Sequence, residues 1–65
     1  MTAAEQRVLD LLPTELSVKE IGARLFISHN TMRSHLRSLY TKLGVHSRSG
    51  AVERARALGL LKPER

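Results

Sequence analysis

The sequence predicts an all-α domain of four short helices. Leu, Ala, Arg and Glu are abundant in its 65 residues, and Phe26 and Tyr40 are its only Phe, Tyr or Trp residues, a composition that favours helix over sheet. Apolar residues recur at helical spacing behind four sites where a Ser or Thr can cap a helix. No stretch has a convincing strand pattern. We therefore expect residues 1–65 to form one domain.

The predicted helices lie at residues 2–12, 17–25, 29–43 and 48–58. The first two begin with a capping box, in which a hydroxyl residue and a glutamate three positions later each accept a bond from the other's backbone N–H. Thr2 and Glu5 form the first box, and Ser17 and Glu20 form the second. Pro13 is expected to end the first helix, because proline lacks a backbone donor and disfavours helix at the preceding residue.

The third predicted helix begins at Ser28, whose hydroxyl can accept a bond from an early backbone N–H. It is expected to end at Gly44, because glycine adopts a positive φ without strain. Its inward stripe consists of four apolar residues at helical spacing, Met32, Leu36, Leu39 and Leu43. The opposite face is polar and carries Asn30, Arg33, Ser34, Arg37 and Thr41.

The fourth predicted helix begins near Ser47 and is followed by Gly59. Its apolar strip is narrow and consists mostly of small residues, Ala51, Val52, Ala55 and Leu58. We expect Leu60 and Leu61 to fold back onto the core. Residues 62–65 are expected to form a polar tail.

The second and third helices have the spacing of a helix-turn-helix, in which a short helix, a tight connection and a longer helix follow one another. Gly22 is small enough to let the two helices approach closely, and Ile27 and Met32 are expected to close the corner between them. The turn carries Phe26 where the motif usually has glycine. Because helical hairpins of similar length are common, this spacing indicates DNA binding without requiring it.

The charge distribution points to a polyanionic ligand. The formal net charge is +5, and no acidic residue lies between Glu20 and Glu53. That interval holds all three histidines and five cationic residues, Arg24, Arg33, Arg37, Lys42 and Arg48. A basic stretch between more acidic ends is typical of nucleic-acid binding. From charge alone, a basic face that is merely solvated remains equally open.

The polar face of the third helix strengthens the case for DNA. Arg33 and Arg37 can each donate a bidentate pair to guanine, and Asn30 can pair in the same way with adenine. Ser34 lies between the two arginines. Ordinary exposed helix faces intersperse Glu with Lys or Arg, whereas this face has no acid that would repel phosphates.

A family resemblance is carried by four stretches: LSVKEIG at 16–22, LFIS at 25–28, TMRSHL at 31–36 and YTKLGVHSR at 40–48. Together they are similar to the LuxR/GerE family of bacterial transcription regulators. The resemblance covers nearly the whole chain, and its last stretch is quite specific. Gly22 stands where that family usually has alanine, and Met32 stands where it usually has valine.

The resemblance implies a four-helix helix-turn-helix domain whose third helix enters the major groove and whose fourth helix forms a dimer. Three residues then face base edges: Arg33, Ser34 and Arg37. Three more meet the phosphate backbone: Lys19, Thr31 and Lys42. We add Asn30 to the base contacts and Ser28 to the phosphate contacts. The dimer contacts are expected from the small residues of the fourth helix, Ala51, Val52 and Ala55.

We therefore predict sequence-specific binding to double-stranded DNA by a bacterial transcriptional regulator. A homodimer would place two recognition helices, each at residues 29–43, roughly 34 Å apart on a near-palindromic operator. The sequence leaves open whether a regulatory domain precedes this one in a longer chain. It shows neither a membrane span nor a signal peptide, so a cytoplasmic location is expected.

Enzymatic activity, metal binding and cofactors are not expected. His29, His35 and His46 are spaced so that no two share a helix face as metal ligands at i and i+4 would, and the chain has no Cys. No Ser-His-acid arrangement can be argued from the sequence. The serines are better interpreted as helix caps and surface donors.

Two alternatives remain. A promoter-binding module like the fourth region of a sigma factor shares the Lys-Glu-Ile and Ser-x-x-Thr spacing, although the segment from Gly44 onward favours the LuxR/GerE interpretation. A helical protein-interaction module could dock through the small residues of the fourth helix. That function would leave the acid-free face of the third helix unexplained.

Overall fold

The computed structural model describes residues 2–61, which contain four helices and no strand. The helices are α1 (Ala3–Leu11), α2 (Val18–Arg24), α3 (His29–Leu43) and α4 (Arg48–Ala57). The all-α prediction is confirmed, and each helix begins and ends within one residue of its predicted bounds. The tail predicted at residues 62–65 lies outside the described part of the chain. Within residues 2–61, no helix is long and apolar enough to cross a bilayer.

Both predicted capping boxes form. Thr2 Oγ1 accepts from the Glu5 N–H at 3.1 Å, and Glu5 Oε1 accepts from the Thr2 N–H at 2.9 Å. Ser17 Oγ accepts from the Glu20 N–H at 3.1 Å, and Glu20 Oε1 accepts from the Ser17 N–H at 2.8 Å. The hydrogen bonds from Ser17 lower the pKa of the Glu20 carboxyl, because they favour its charged form.

The third helix begins and ends at the predicted residues. Ser28 Oγ accepts from the Thr31 N–H at 3.3 Å and caps the first turn. At the other end, Gly44 adopts a φ of 69°, and the next N–H, of Val45, bonds to the carbonyl of Tyr40 at 3.0 Å. The reversal at Gly44 thus satisfies a carbonyl that the helix end would otherwise leave open.

The central helix is α3, which packs against each of the other three. One core results, built from all four helices and the segments that follow α1 and α4: Val8, Leu9, Leu12, Ile21, Met32, Leu39, Leu43, Ala51, Ala55 and Leu61. Burial of Leu61 shows that the chain folds back after α4 as predicted. Leu36, expected to point inward, is only half-buried. The core side of α3 leaves its polar side exposed.

The small residues of α4 face the protein's own core. Ala51 and Ala55 are fully buried in the single chain, which leaves them no exposed surface for the predicted contact with a second copy. Their size serves packing instead, since small side chains let α4 lie close to α3. Val52, the third residue of that prediction, is half-buried and reaches the surface.

Close packing of α2 on α3 depends on Gly22. A Cβ at this position would lie 2.8 Å from Met32 Cγ and 2.9 Å from the carbonyl oxygen of Ile27, both too short for a carbon contact. The carbonyl of Gly22 also accepts the Ile27 N–H at 2.8 Å, which closes the turn. The structure therefore supports the predicted need for a small residue, and it accounts for glycine where the family usually has alanine.

Phe26 forms the turn between α2 and α3 in an unusual conformation. Its φ is 58°, in the left-handed region where a bulky residue is strained. Its side chain is 97% exposed, so burial does not offset that strain. The helix-turn-helix thus forms without the glycine that the motif usually has in its turn.

Candidate nucleic-acid interface

The exposed face of α3 brings the four predicted base-contacting residues together. One shallow depression is lined by Asn30, Arg33, Ser34 and Arg37, and each of them is exposed. Their spacing of three and four residues places them on one side of the helix. Among the described residues, no acidic side chain lines this depression. The depression therefore presents donor and acceptor groups of the kinds that pair with base edges.

Two hydroxyls at the start of α3 are bonded to each other. Ser28 Oγ accepts from the Thr31 backbone N–H and donates to Thr31 Oγ1 at 2.9 Å. A hydroxyl has one hydrogen to donate, so Ser28 has used its own within the protein. The Thr31 hydroxyl has no acceptor among the described residues. Thr31 is thus the better-placed donor for an anion at the positive end of the helix dipole.

Lys19 lies in the first turn of α2 and is exposed. Within residues 2–61 its ammonium forms no ion pair. The structure therefore leaves this predicted phosphate contact available to an anionic ligand.

Lys42, in the last turn of α3, is paired rather than free. Its Nζ lies 2.7 Å from Glu5 Oε1, and the Glu5 side chain is 5% exposed while that of Lys42 is 44% exposed. The hydrogen bond from Lys42, with others from the Thr2 N–H and the Ser38 hydroxyl, lowers the pKa of Glu5 from 4.5 to about 2. A phosphate that bound Lys42 would have to share it with this carboxylate.

Comparison with known proteins assigns this arrangement to a family. Residues 1–55 match the family described as bacterial regulatory proteins, luxR family. The chain belongs to the luxR family. The resemblance found in the sequence is thereby confirmed. Of the two DNA-binding interpretations, the match favours the LuxR/GerE domain over the sigma-factor module. Because this family consists of DNA-binding transcription regulators, the luxR-family domain is a DNA-binding domain and not an enzyme.

Solved structures share the fold of this luxR-family domain. The transcription factor GerE superposes with a TM-score of 0.85 and 37% identity, over 95% of this chain and 92% of that one. The response regulator ChrA of a heme-sensing two-component system superposes with a TM-score of 0.87 and 41% identity, over 91% of this chain and 29% of that one. The prediction of a four-helix LuxR/GerE-like fold is confirmed.

Sequence relatives differ in how much of them this domain covers. It is 40% identical over 62 residues to spore germination protein GerE of Bacillus subtilis, which is 95% of this chain and 84% of that protein. It is 49% identical over 51 residues to a nitrate/nitrite response regulator protein homolog of Haemophilus influenzae, which is 78% of this chain and 24% of that protein. The luxR-family domain thus spans most of one relative and about a quarter of the other.

Arg48 has a structural role in the luxR-family domain. Its Nε donates to the Leu12 carbonyl and its Nη2 to the Thr14 carbonyl, both at 2.9 Å. These carbonyls lie where α1 ends, and a helix end leaves such groups without partners. The sequence analysis placed Arg48 in the basic stretch. In the structure its guanidinium instead bonds α4 to the segment after α1.

The sequence prediction did not include Glu5 as part of the interface. Glu5 was identified only as a member of the first capping box, which it also is. Its partner Lys42 is 37 residues away, so no local spacing indicates the pair.

The histidines are scattered, with His29 and His46 exposed and His35 half-buried. Within residues 2–61, no three His, Cys, Asp or Glu side chains converge as metal ligands would.

Proposed function

We propose that this domain binds double-stranded DNA sequence-specifically, with α3 in the major groove. The observation that carries the proposal is the acid-free depression on α3, because four side chains able to read bases converge there. A major groove is wide enough to admit one helix, and α3 is the longest helix among the described residues. Its polar face is exposed because its apolar face holds the centre of the core.

We propose that the four residues of the depression contact bases in distinct ways. Arg33 and Arg37 donate to guanine, and each such pair discriminates against the wrong base by about 1–3 kcal/mol. Asn30 pairs with adenine by donating and accepting one bond each. Ser34, with one donor and two lone pairs, suits either kind of base.

We propose that residues at the edges of the helix-turn-helix contact the DNA phosphates. Lys19 approaches the backbone from the start of α2, and Thr31 donates its hydroxyl from the start of α3. Ser28 supports this contact by donating to Thr31 Oγ1, and its own hydroxyl reaches a phosphate when its hydrogen turns from Thr31 to the anion. Lys42 meets the backbone from the far end of α3. Such contacts supply affinity that is independent of sequence and falls with salt.

A second copy is proposed to bind through the exposed side of α4. Val52 is half-buried at this surface, in a shallow groove shared with residues of the segment after α1, Leu12, Pro13 and Thr14. A two-fold pair would bring the same groove of each copy together. Two copies would set their α3 helices about one DNA turn apart, which matches a near-palindromic operator.

The full-length context is also part of the proposal. Because this domain covers only about a quarter of some relatives, we propose that a regulatory domain controls it in a longer chain. Its ligand is chromosomal DNA, and in bacteria that places it in the cytoplasm.

Selection of bound sites from a pool of random duplexes, followed by titration with Arg33→Ala, tests the function. We expect one enriched near-palindromic sequence. Arg33→Ala should lower the preference for that site over scrambled DNA by about 10-fold or more, because it removes a bidentate base contact. Lys19→Ala is the matched control, and it should weaken both duplexes alike. Failure to enrich any sequence, with binding that is insensitive to salt, would contradict the proposal.

A further inference from the structure

We propose that the ion pair with Glu5 keeps Lys42 from binding a DNA phosphate fully. Glu5 thereby limits the sequence-independent part of the DNA affinity. The inference rests on the proposed function and adds to it a residue that does not touch DNA. Glu5 acts through Lys42, so it is a positioning residue. The ligand concerned is the phosphate backbone of the same duplex that α3 reads.

The first step is the geometry of the pair. Glu5 Oε1 accepts from Lys42 Nζ at 2.7 Å and from the Thr2 N–H at 2.9 Å. Glu5 accepts from two donors and its side chain is almost fully buried, so the carboxylate is fixed beside Lys42.

The second step is the position of Lys42 on the surface. Lys42 lines a shallow groove on the flank of α3 together with Ser34, Arg37, Ser38 and Thr41. Ser34 and Arg37 also line the depression proposed to read bases. The two surfaces are therefore continuous, and Lys42 lies where the duplex backbone would pass beside the recognition helix.

The third step is electrostatic. A phosphate close enough to bond the Lys42 ammonium also comes close to the carboxylate that already holds it. Repulsion between the two anions acts across a partly desolvated interface, where it is screened less than in water. The paired Lys42 therefore releases almost no bound cation from the DNA, although it lies beside the backbone. The salt dependence of binding should be shallower than the number of surface cations indicates.

A mutant cycle measures this effect on a duplex of arbitrary sequence about two helical turns long. The four proteins are the native domain, Glu5→Gln, Lys42→Met and the double variant. We expect Glu5→Gln to bind this duplex more tightly and with a salt slope steeper by about 0.9, one phosphate contact. Its advantage should therefore shrink about threefold between about 50 and 200 mM salt. In the Lys42→Met background, Glu5→Gln should change the affinity less than twofold.

Asp10→Asn is the matched control, because it removes the same unit charge from an exposed position of the same helix. It should leave the salt slope unchanged, which separates the effect of Glu5 from that of net charge. The operator selected from the random pool should gain the same factor from Glu5→Gln as the arbitrary duplex. A gain confined to the operator would show a base-reading effect and overturn the proposal.

The double variant keeps the test valid if a single variant fails to fold, because it removes both charges together. Its salt slope should match that of the native domain, since the native pair is already neutral. A slope smaller by about 0.9 would show that Lys42 is a full phosphate contact and would overturn the proposal. An unchanged or lower affinity of folded Glu5→Gln would overturn it as well. Absence of binding by the native domain at low salt would instead contradict the proposed function.

Discussion

Glu5 is the one charged side chain that is buried within residues 2–61. Burial by itself raises the pKa of a carboxyl, but the hydrogen bond from Lys42 and those from Thr2 and Ser38 outweigh it. The folded state therefore favours the charged carboxylate. A residue whose sequence context suggests only a helix cap thus also joins α1 to α3 through Lys42.

The charge of Glu5 predicts a specific dependence of stability on pH. Its folded-state pKa of about 2 lies below the ordinary 4.5, so its contribution is complete above pH 4.5 and is lost as pH falls towards 2. We expect Glu5→Gln to lower the free energy of unfolding by about 1–3 kcal/mol at neutral pH. Urea unfolding should show this difference shrinking through that interval. A difference that stays constant with pH would contradict the role of the carboxylate charge.

The backbone conformation of Phe26 predicts that replacing this residue stabilises the domain. Because its backbone is left-handed and its side chain is exposed, replacing it loses no packing and relieves strain. Phe26→Asn should raise the free energy of unfolding by about 0.5–1 kcal/mol, since asparagine tolerates this region. In a domain of this size, the melting temperature would rise by roughly 2–8 °C.

Phe26→Ala is the matched control for that measurement. It removes the aromatic ring but lacks the side-chain amide with which asparagine bonds to the local backbone in the left-handed region, so calorimetry should show no comparable gain. Equal gains from the two variants would point to the exposed ring, rather than the backbone, as the source of instability.

At the scale of elements, the packing of α2 on α3 explains a departure from the family. Alanine is ordinarily better than glycine inside a helix by about 0.5–1 kcal/mol. At Gly22 that preference is opposed by steric overlap. The Met32 side chain and the Ile27 carbonyl oxygen occupy the space that an alanine Cβ would need. The longer Met32 side chain, where the family usually has valine, is thus matched by a smaller residue on the facing helix.

Gly22→Ala is therefore expected to destabilise the domain, by about 1–2 kcal/mol net, because overpacking costs more than helix propensity returns. Chemical denaturation measures the change. Ala23→Gly, at the neighbouring exposed position, gives the propensity part alone and should cost about 0.5–1 kcal/mol. If Gly22→Ala proves as stable as the native domain, α2 is free to shift away from α3.

At the scale of the whole molecule, α3 serves two functions with opposite faces. Its apolar face contacts all three other helices, so the surface proposed to read bases is fixed to the core. The proposed DNA contacts of one copy are few, so the proposed second copy would add selectivity. Burial of Ala51 and Ala55 leaves Val52 as the apolar residue of the original interface prediction that can contact that copy.

Val52→Glu tests the proposed dimer. It places a charge in the shallow groove of α4 and should weaken binding to a two-half-site operator by about 10-fold or more, while binding to one half-site changes little. Sedimentation of the protein–DNA complex gives the number of bound copies. Ala57→Glu is the matched control, since Ala57 is exposed and lies about 140° around α4 from Val52. Two bound copies with undiminished affinity in Val52→Glu would exclude this face.

Local sequence patterns predict the bounds of the helices and the residues that share the polar face of α3. Helix starts depend on hydroxyls that bond three residues ahead, as Thr2, Ser17 and Ser28 do, so they can be predicted from local spacing. The same holds for the stop at Gly44. The polar face of α3 follows from helical periodicity once its apolar stripe is known.

Long-range packing decides which cations are available and which way α4 faces. Lys42 bonds to Glu5 across 37 residues, and Arg48 bonds to the Leu12 carbonyl across 36. Such pairs form because packing brings distant segments together, and no local rule encodes them. Ala51 likewise turned inward because α4 packs against α3, a choice that a strip of small residues leaves open. Local bonds determined the elements, and long-range packing determined which of their side chains remain available to DNA or a second copy.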